Sequence, residues 1–156
     1  PMDDRKLSYV IDIAIKKEEE SRAFYLDLVE RVEDAEAKDT LKYLAQEEKK
    51  HLEFLTACRE GRYCSDVIRM DDVVDYKIIE HLELPDIREK MNTADIYLVA
   101  ANRELNSFNF YKSLAGTYPE GEVKAMLLKM ANQELKHKEK VEYLYANTAF
   151  PQLSGG

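Results

Sequence analysis

LAQEEKKH (residues 44–51) and MANQELKH (residues 130–137) decide the fold, because they are two versions of one segment. Each holds a Glu three residues before a His: Glu48 and His51, then Glu134 and His137. On a helix, positions three apart lie on one face, about 4.5 Å apart along the axis. In the first copy this pair interrupts an apolar seam of Leu41, Leu44, Leu55 and Cys58. Glu48 and His51 therefore face a core. The offset between the copies is 86 residues, and it extends upstream: Glu18 and Tyr25 are matched by Glu104 and Tyr111. Aligned without a gap, residues 14–53 and 100–139 are identical at 14 of 40 positions. One helix hairpin has been used twice.

Working outward, four stretches show apolar residues at alternating steps of three and four, the period of an amphipathic helix. The first runs from about Asp4 to Val32, with Ile11, Ala14, Ile15, Tyr25, Leu28 and Val32 on its stripe. The second follows Asp34, a suitable N-cap, and stops near Glu60 before Gly61. The third starts near Thr93, a possible cap, and ends before Gly116. The fourth opens at Pro119, which suits a first helical turn, and reaches about Asn147, with Leu127, Met130, Val141 and Leu144 on its stripe. Pro151 then ends it. Short links within each pair make antiparallel neighbours. The segment Arg62 to Asn92 is long enough to run the length of a bundle, and it carries a shorter helical pattern from about Asp72 to Leu84. The expectation is an all-α, antiparallel four-helix bundle. Two hairpins are joined by a long crossover containing a short helix, as a single domain over residues 1–156.

Composition narrows the function. The chain has 156 residues, 45% hydrophobic and 35% charged, with 5 Gly and 4 Pro. This is the balance of a helix-rich globular protein. A net charge of −8 speaks against nucleic acid and anionic membrane surfaces as partners. No apolar run reaches the roughly 18 residues of a membrane span. The opening PMDDRKL lacks an apolar signal segment, so a cytoplasmic location is expected. Cys58 and Cys64 are then expected to be reduced thiols, and the absence of paired C-x2-C knuckles speaks against a metal ribbon.

Glu18, Glu48, Glu104 and Glu134 on bundle seams would be four acids facing one core. Each buried carboxylate costs several kcal/mol unless compensated, and four together repel one another. Two divalent cations cancel their formal charge, with His51 and His137 completing the ligand set. Carboxylate and imidazole donors suit Fe, Mn or Zn better than Ca or Mg. The repeat also sorts the neighbouring acids. Glu19, Glu20 and Glu47 align with Leu105, Asn106 and Gln133, so they are assigned to the solvated face. Glu53 and Glu139 match each other but lie off the seam, and unmatched His81 is assigned to the surface. Tyr25 and Tyr111 lie two turns beyond Glu18 and Glu104 on the same faces, where they can donate to ligand carboxylates.

EEESRAFY, LAQEEKKH, RELNSFNFY and MANQELKH together resemble the ferritin-like di-iron carboxylate proteins, and within them the rubrerythrin branch. The resemblance covers residues 7–147. It implies two iron ions, with Mn or Zn as possible substitutes. Glu18 and Glu104 would be terminal ligands, Glu48 and Glu134 would bridge, and His51 and His137 would each bind one metal. Tyr25 and Tyr111 would act with the centre by orienting its carboxylates. The implied activity is that of a non-haem di-iron oxidoreductase reducing hydrogen peroxide or dioxygen, in a homodimer. Ferritin-type members of the group instead oxidise and store iron, which is the alternative function. Two features depart from rubrerythrins. The chain lacks the rubredoxin-like C-x2-C pairs, so electrons would come from a separate donor. Glu104 is followed by Leu105, Asn106, Ser107, Phe108 and Asn109, without the extra carboxylate of that branch.

Overall fold

The computed structural model describes residues 4–61 and 70–150. Within them are four long helices and no strand. They are α1 (Asp4–Val29), α2 (Ala35–Arg59), α3 (Thr93–Ala115) and α4 (Glu122–Ala149). The chain is an all-α four-helix bundle. α1 packs along α2 and α3 along α4, so the two hairpins read from the sequence are the two packing units.

The helix ends follow local chemistry. The Asp34 carboxylate accepts from Ala37 N–H at 2.9 Å, which satisfies a donor left free in the first turn of α2. α2 stops where Gly61 takes φ +81°, a left-handed conformation that favours glycine, and its N–H bonds back to Cys58 O. α3 is capped by Asn92, whose Oδ1 accepts from Asp95 N–H at 2.8 Å; Thr93 is the first helical residue rather than the cap. α4 begins at Glu122, three residues after Pro119. α1 ends at Val29, and Val32 packs into the core from the turn that follows.

The expected helix from Asp72 to Leu84 is a single 3-10 turn, Ile79–His81. Residues 71–76 instead alternate between partly buried and exposed, the period of extended chain. Side chains of α4 supply the reason. Glu139 Oε2 accepts from Val74 N–H at 2.6 Å, and Glu142 Oε2 accepts from Ile78 and Ile79 N–H at 2.7 and 2.9 Å. Asn132 bonds both ways with the Asp71 backbone. These bonds take up donors that a helix would have used. Lys138, on α4, has no exposed surface and sits 2.7 Å from Asp75, 2.8 Å from Glu80 and 3.0 Å from Glu142. Residues 71–80 thus form a strap along α4, running in the same direction as the helix.

Cys58 is disulfide-bonded, which corrects the expectation of reduced thiols; Cys64 lies outside the described residues. So does Pro151.

The core is in two parts. One contains Tyr25, Leu28, Leu41, Leu44, Ile96, Tyr97, Ala101, Val141 and Tyr145. The other contains Ile11, Ala14, Leu55, Cys58, Tyr111, Met126, Leu127 and Met130. Every helix contributes to both, and on every helix the residues between the two parts are the conspicuous acids and histidines. The site is a polar layer between two apolar plugs.

Candidate metal centre

Glu18 from α1, Glu48 and His51 from α2, Glu104 from α3, and Glu134 and His137 from α4 all turn into this layer, and none is more than 6% exposed. They converge as two overlapping sets. Glu18, Glu48, His51 and Glu134 each bring one donor atom to within 4.8 Å of the others. Glu48, Glu104, Glu134 and His137 do the same. Glu48 and Glu134 belong to both. His51 Nδ1 lies 3.2 Å from Glu134, 3.4 Å from Glu18 and 3.8 Å from Glu48. His137 Nδ1 lies 3.6 Å from Glu104 and 3.7 Å from Glu48. The two rings stack with centroids 5.9 Å apart. Both imidazoles therefore present Nδ1 inward.

The tyrosines cross between hairpins. Tyr25 O–H donates to Glu104 Oε1 at 2.5 Å, and Tyr111 O–H donates to Glu18 Oε1 at 2.6 Å. Each fixes one oxygen of a carboxylate belonging to a single set and leaves the other free. Burial, then the charge of Glu104, pushes the Tyr25 hydroxyl well above its ordinary range; burial and the charge of Glu134 do the same for Tyr111. Both remain neutral donors. The pseudo-twofold extends outward. Lys17 lies 5.6 Å from the Phe110 ring and Arg103 lies 5.1 Å from the Phe24 ring, and both cations and both rings are related by the same 86-residue offset.

A divalent ion fits this donor set, as the unsatisfied atoms show. Among the described residues, the buried side-chain atoms without a hydrogen-bond partner are Glu18 Oε2, both oxygens of Glu48 and of Glu134, Glu104 Oε2, Nδ1 of each histidine, and the Ser107 hydroxyl. All but the last belong to the six residues. Buried polar atoms are ordinarily paired, and here the orphans form one cluster of anionic oxygens and imidazole nitrogens. Without metal, the cluster must hold protons. Burial, reinforced by the charges of Glu48 and Glu104, pushes Glu134 well above the carboxylate range. Burial disfavours imidazolium at His51, but contacts with Glu134 and Glu48 outweigh it and raise the group to about 9. His137 is raised in the same way, chiefly by Glu104.

Glu19, Glu20, Glu53 and His81 are exposed, as their lack of a match or seam position indicated. Glu47 is not. Its side chain is only 19% exposed, and Oε1 lies 3.8 Å from His137 Nε2, the nitrogen facing away from the centre. Tyr43 O–H donates to the same oxygen at 3.0 Å, and the Tyr43 ring meets the His137 ring edge-on. Repeat matching discarded Glu47 because its counterpart is Gln133. The signal that could have kept it is the i, i+4 pair Tyr43–Glu47 on one face of α2.

Fold and site define a class: a four-helix bundle enclosing a carboxylate–histidine cluster compatible with di-iron binding. The rubrerythrin family model matches residues 2–58, which contain α1, all of α2 but Arg59, and the ligand candidates Glu18, Glu48 and His51. That match supports the ferritin-like, rubrerythrin-like branch. The second hairpin, beyond the matched residues, repeats the motif of the first. Neither the curated proteins nor the solved structures contain a match.

Proposed function

We propose that the protein is a di-iron oxidoreductase that reduces hydrogen peroxide or dioxygen with electrons from a separate donor. The observation that carries this reading is the cluster of orphaned donor atoms, which forms two four-residue sets sharing Glu48 and Glu134. Terminal carboxylates would be Glu18 and Glu104, and each histidine would bind through Nδ1. Two ferrous ions held there would supply the two electrons that cleave the O–O bond of peroxide; dioxygen takes four, the other two coming from the separate donor. Iron is preferred because the chemistry needs a one-electron step at each position, while the oxygen and nitrogen donors suit it equally well.

The protein's own residues do the rest. Tyr25 and Tyr111 hold Glu104 and Glu18 in fixed rotamers, so one oxygen of each stays aimed at the centre. The two apolar plugs exclude bulk water from both ends of the layer. The Tyr25 and Tyr111 hydroxyls, each on a ligand candidate's carboxylate, are proton-bearing groups at the edge of the layer, whereas His137 Nε2 faces away from it. Reduction of peroxide consumes two protons and two electrons and yields two waters.

The test is stoichiometric. Protein loaded anaerobically with Fe(II) is mixed with one equivalent of hydrogen peroxide. Oxidation of two ferrous ions per peroxide consumed, within seconds, supports the reading. Ferrous ions indifferent to peroxide and dioxygen would overturn it. Uptake of iron far beyond two per chain would assign the protein to iron storage.

A further inference from the structure

The two halves of the centre share a ligand set but differ one shell further out. His137 has a carboxylate behind it: Glu47 Oε1 lies 3.8 Å from Nε2, anchored at 3.0 Å by Tyr43 and flanked by Lys50 Nζ at 3.2 Å from Oε2. Lys140 Nζ in turn sits 4.5 Å from the centre of the Tyr43 ring. Among the described residues, every contact of His51 with an acid is at Nδ1, on the side of the centre. At the positions matching Tyr43 and Glu47, the second hairpin has Lys129 and Gln133. Gln133 is neutral, and its Nε2 reaches Asp71 of the strap at 3.4 Å.

We infer that Glu47 is a positioning residue that makes the two metal positions unequal, by giving His137 an anionic partner that His51 lacks. The physical link is the imidazole ring. A carboxylate within 3.8 Å of Nε2 favours the tautomer that carries the proton there, which leaves Nδ1 free to bind metal and makes the ring a stronger donor. A ring without such a carboxylate gains less. The position shared by Glu104 and His137 would be the tighter and more electron-rich one. The position shared by Glu18 and His51 would be weaker, and more readily opened to an incoming ligand. This inference rests on the reading of the six residues as a two-metal site.

Co(II) is the probe, titrated anaerobically into the metal-free protein and followed by its visible absorption. The natural sequence is expected to bind two equivalents with unequal affinities. Glu47→Gln, nearly isosteric but uncharged, is expected to weaken the tighter affinity by about tenfold and leave the other in place. Proton NMR of the Co(II) protein supplies a readout that a packing defect would not move. Two exchangeable, strongly shifted imidazole N–H signals are expected, and Glu47→Gln should shift only one and hasten its exchange. Tyr43→Phe keeps the ring against His137 but frees Glu47, so it should act in the same direction more weakly. It also serves as the test if Glu47→Gln fails to fold. Two equivalents bound with unchanged affinities and unchanged N–H signals in the variant would overturn the role of Glu47 alone. Failure of the natural sequence to bind two Co(II) would overturn the metal site itself.

Discussion

Glu134 and Glu48 are the two acids that belong to both donor sets, so their loss has a different signature from that of the others. Glu134→Ala should abolish binding at both positions, whereas Glu18→Ala should mainly weaken the position of His51; metal per chain, measured after dialysis, separates the two. Tyr25→Phe removes the donor to Glu104 Oε1 and leaves a buried oxygen unpaired. It should destabilise the metal-free protein by about 1–3 kcal/mol in urea melts. His51 gives a pH prediction. Its folded value, about 9, lies above the ordinary 6.5. The stability it contributes to the metal-free protein is complete below about 6.5 and is lost as pH climbs through about 9. Metal must displace these protons, so metal affinity should rise with pH over the same window. The six ligand candidates were legible in the sequence because duplication and seam position mark the same residues. The partial burial of Glu47 against His137 was not, because Gln133 stands at the matching position and the repeat therefore marks Glu47 as solvated.

At the scale of elements, the four helices were legible because their apolar stripes persist over six or more turns, and Asp34 and Gly61 act at the ends where their chemistry places them. The crossover was not. Val73, Val74, Ile78 and Ile79 fit a helical stripe and an extended strap equally well, and the choice was made by Glu139 and Glu142 from 63 to 65 residues away. Nothing local to residues 72–84 carries that information. Lys138 is the central tie of this strap. Lys138→Met should leave Asp75, Glu80 and Glu142 without their shared cation. The expected loss is about 2 kcal/mol, below that of a fully buried pair because Asp75 and Glu80 are about a quarter exposed. Hydrogen exchange at the amides of Val74, Ile78 and Ile79 should accelerate ahead of those in the helices, since their acceptors are on α4. Equal acceleration throughout would mean that the strap is not an independent unit.

Across the whole molecule, the acidic layer divides the core in two and joins the hairpins. Both apolar plugs draw on the two hairpins, and the cross-hairpin hydrogen bonds of Tyr25 and Tyr111 end on ligand candidates. Metal would therefore add a polar clamp between the two apolar plugs, at the layer where the halves confront one another with four acids. No helix among the described residues is long and apolar enough to cross a membrane. Binding only to the folded state stabilises it by about 2.7 kcal/mol when free metal is a hundredfold above the dissociation constant. The central claim is that one shared centre takes two metal ions through these six side chains. Its most direct measurement is anaerobic Fe(II) titration of the metal-free protein, with metal per chain counted at saturation in the natural sequence and in Glu134→Ala. The account predicts two irons per chain in the first and none retained in the second. One iron per chain in the natural sequence, or two retained without Glu134, would contradict it.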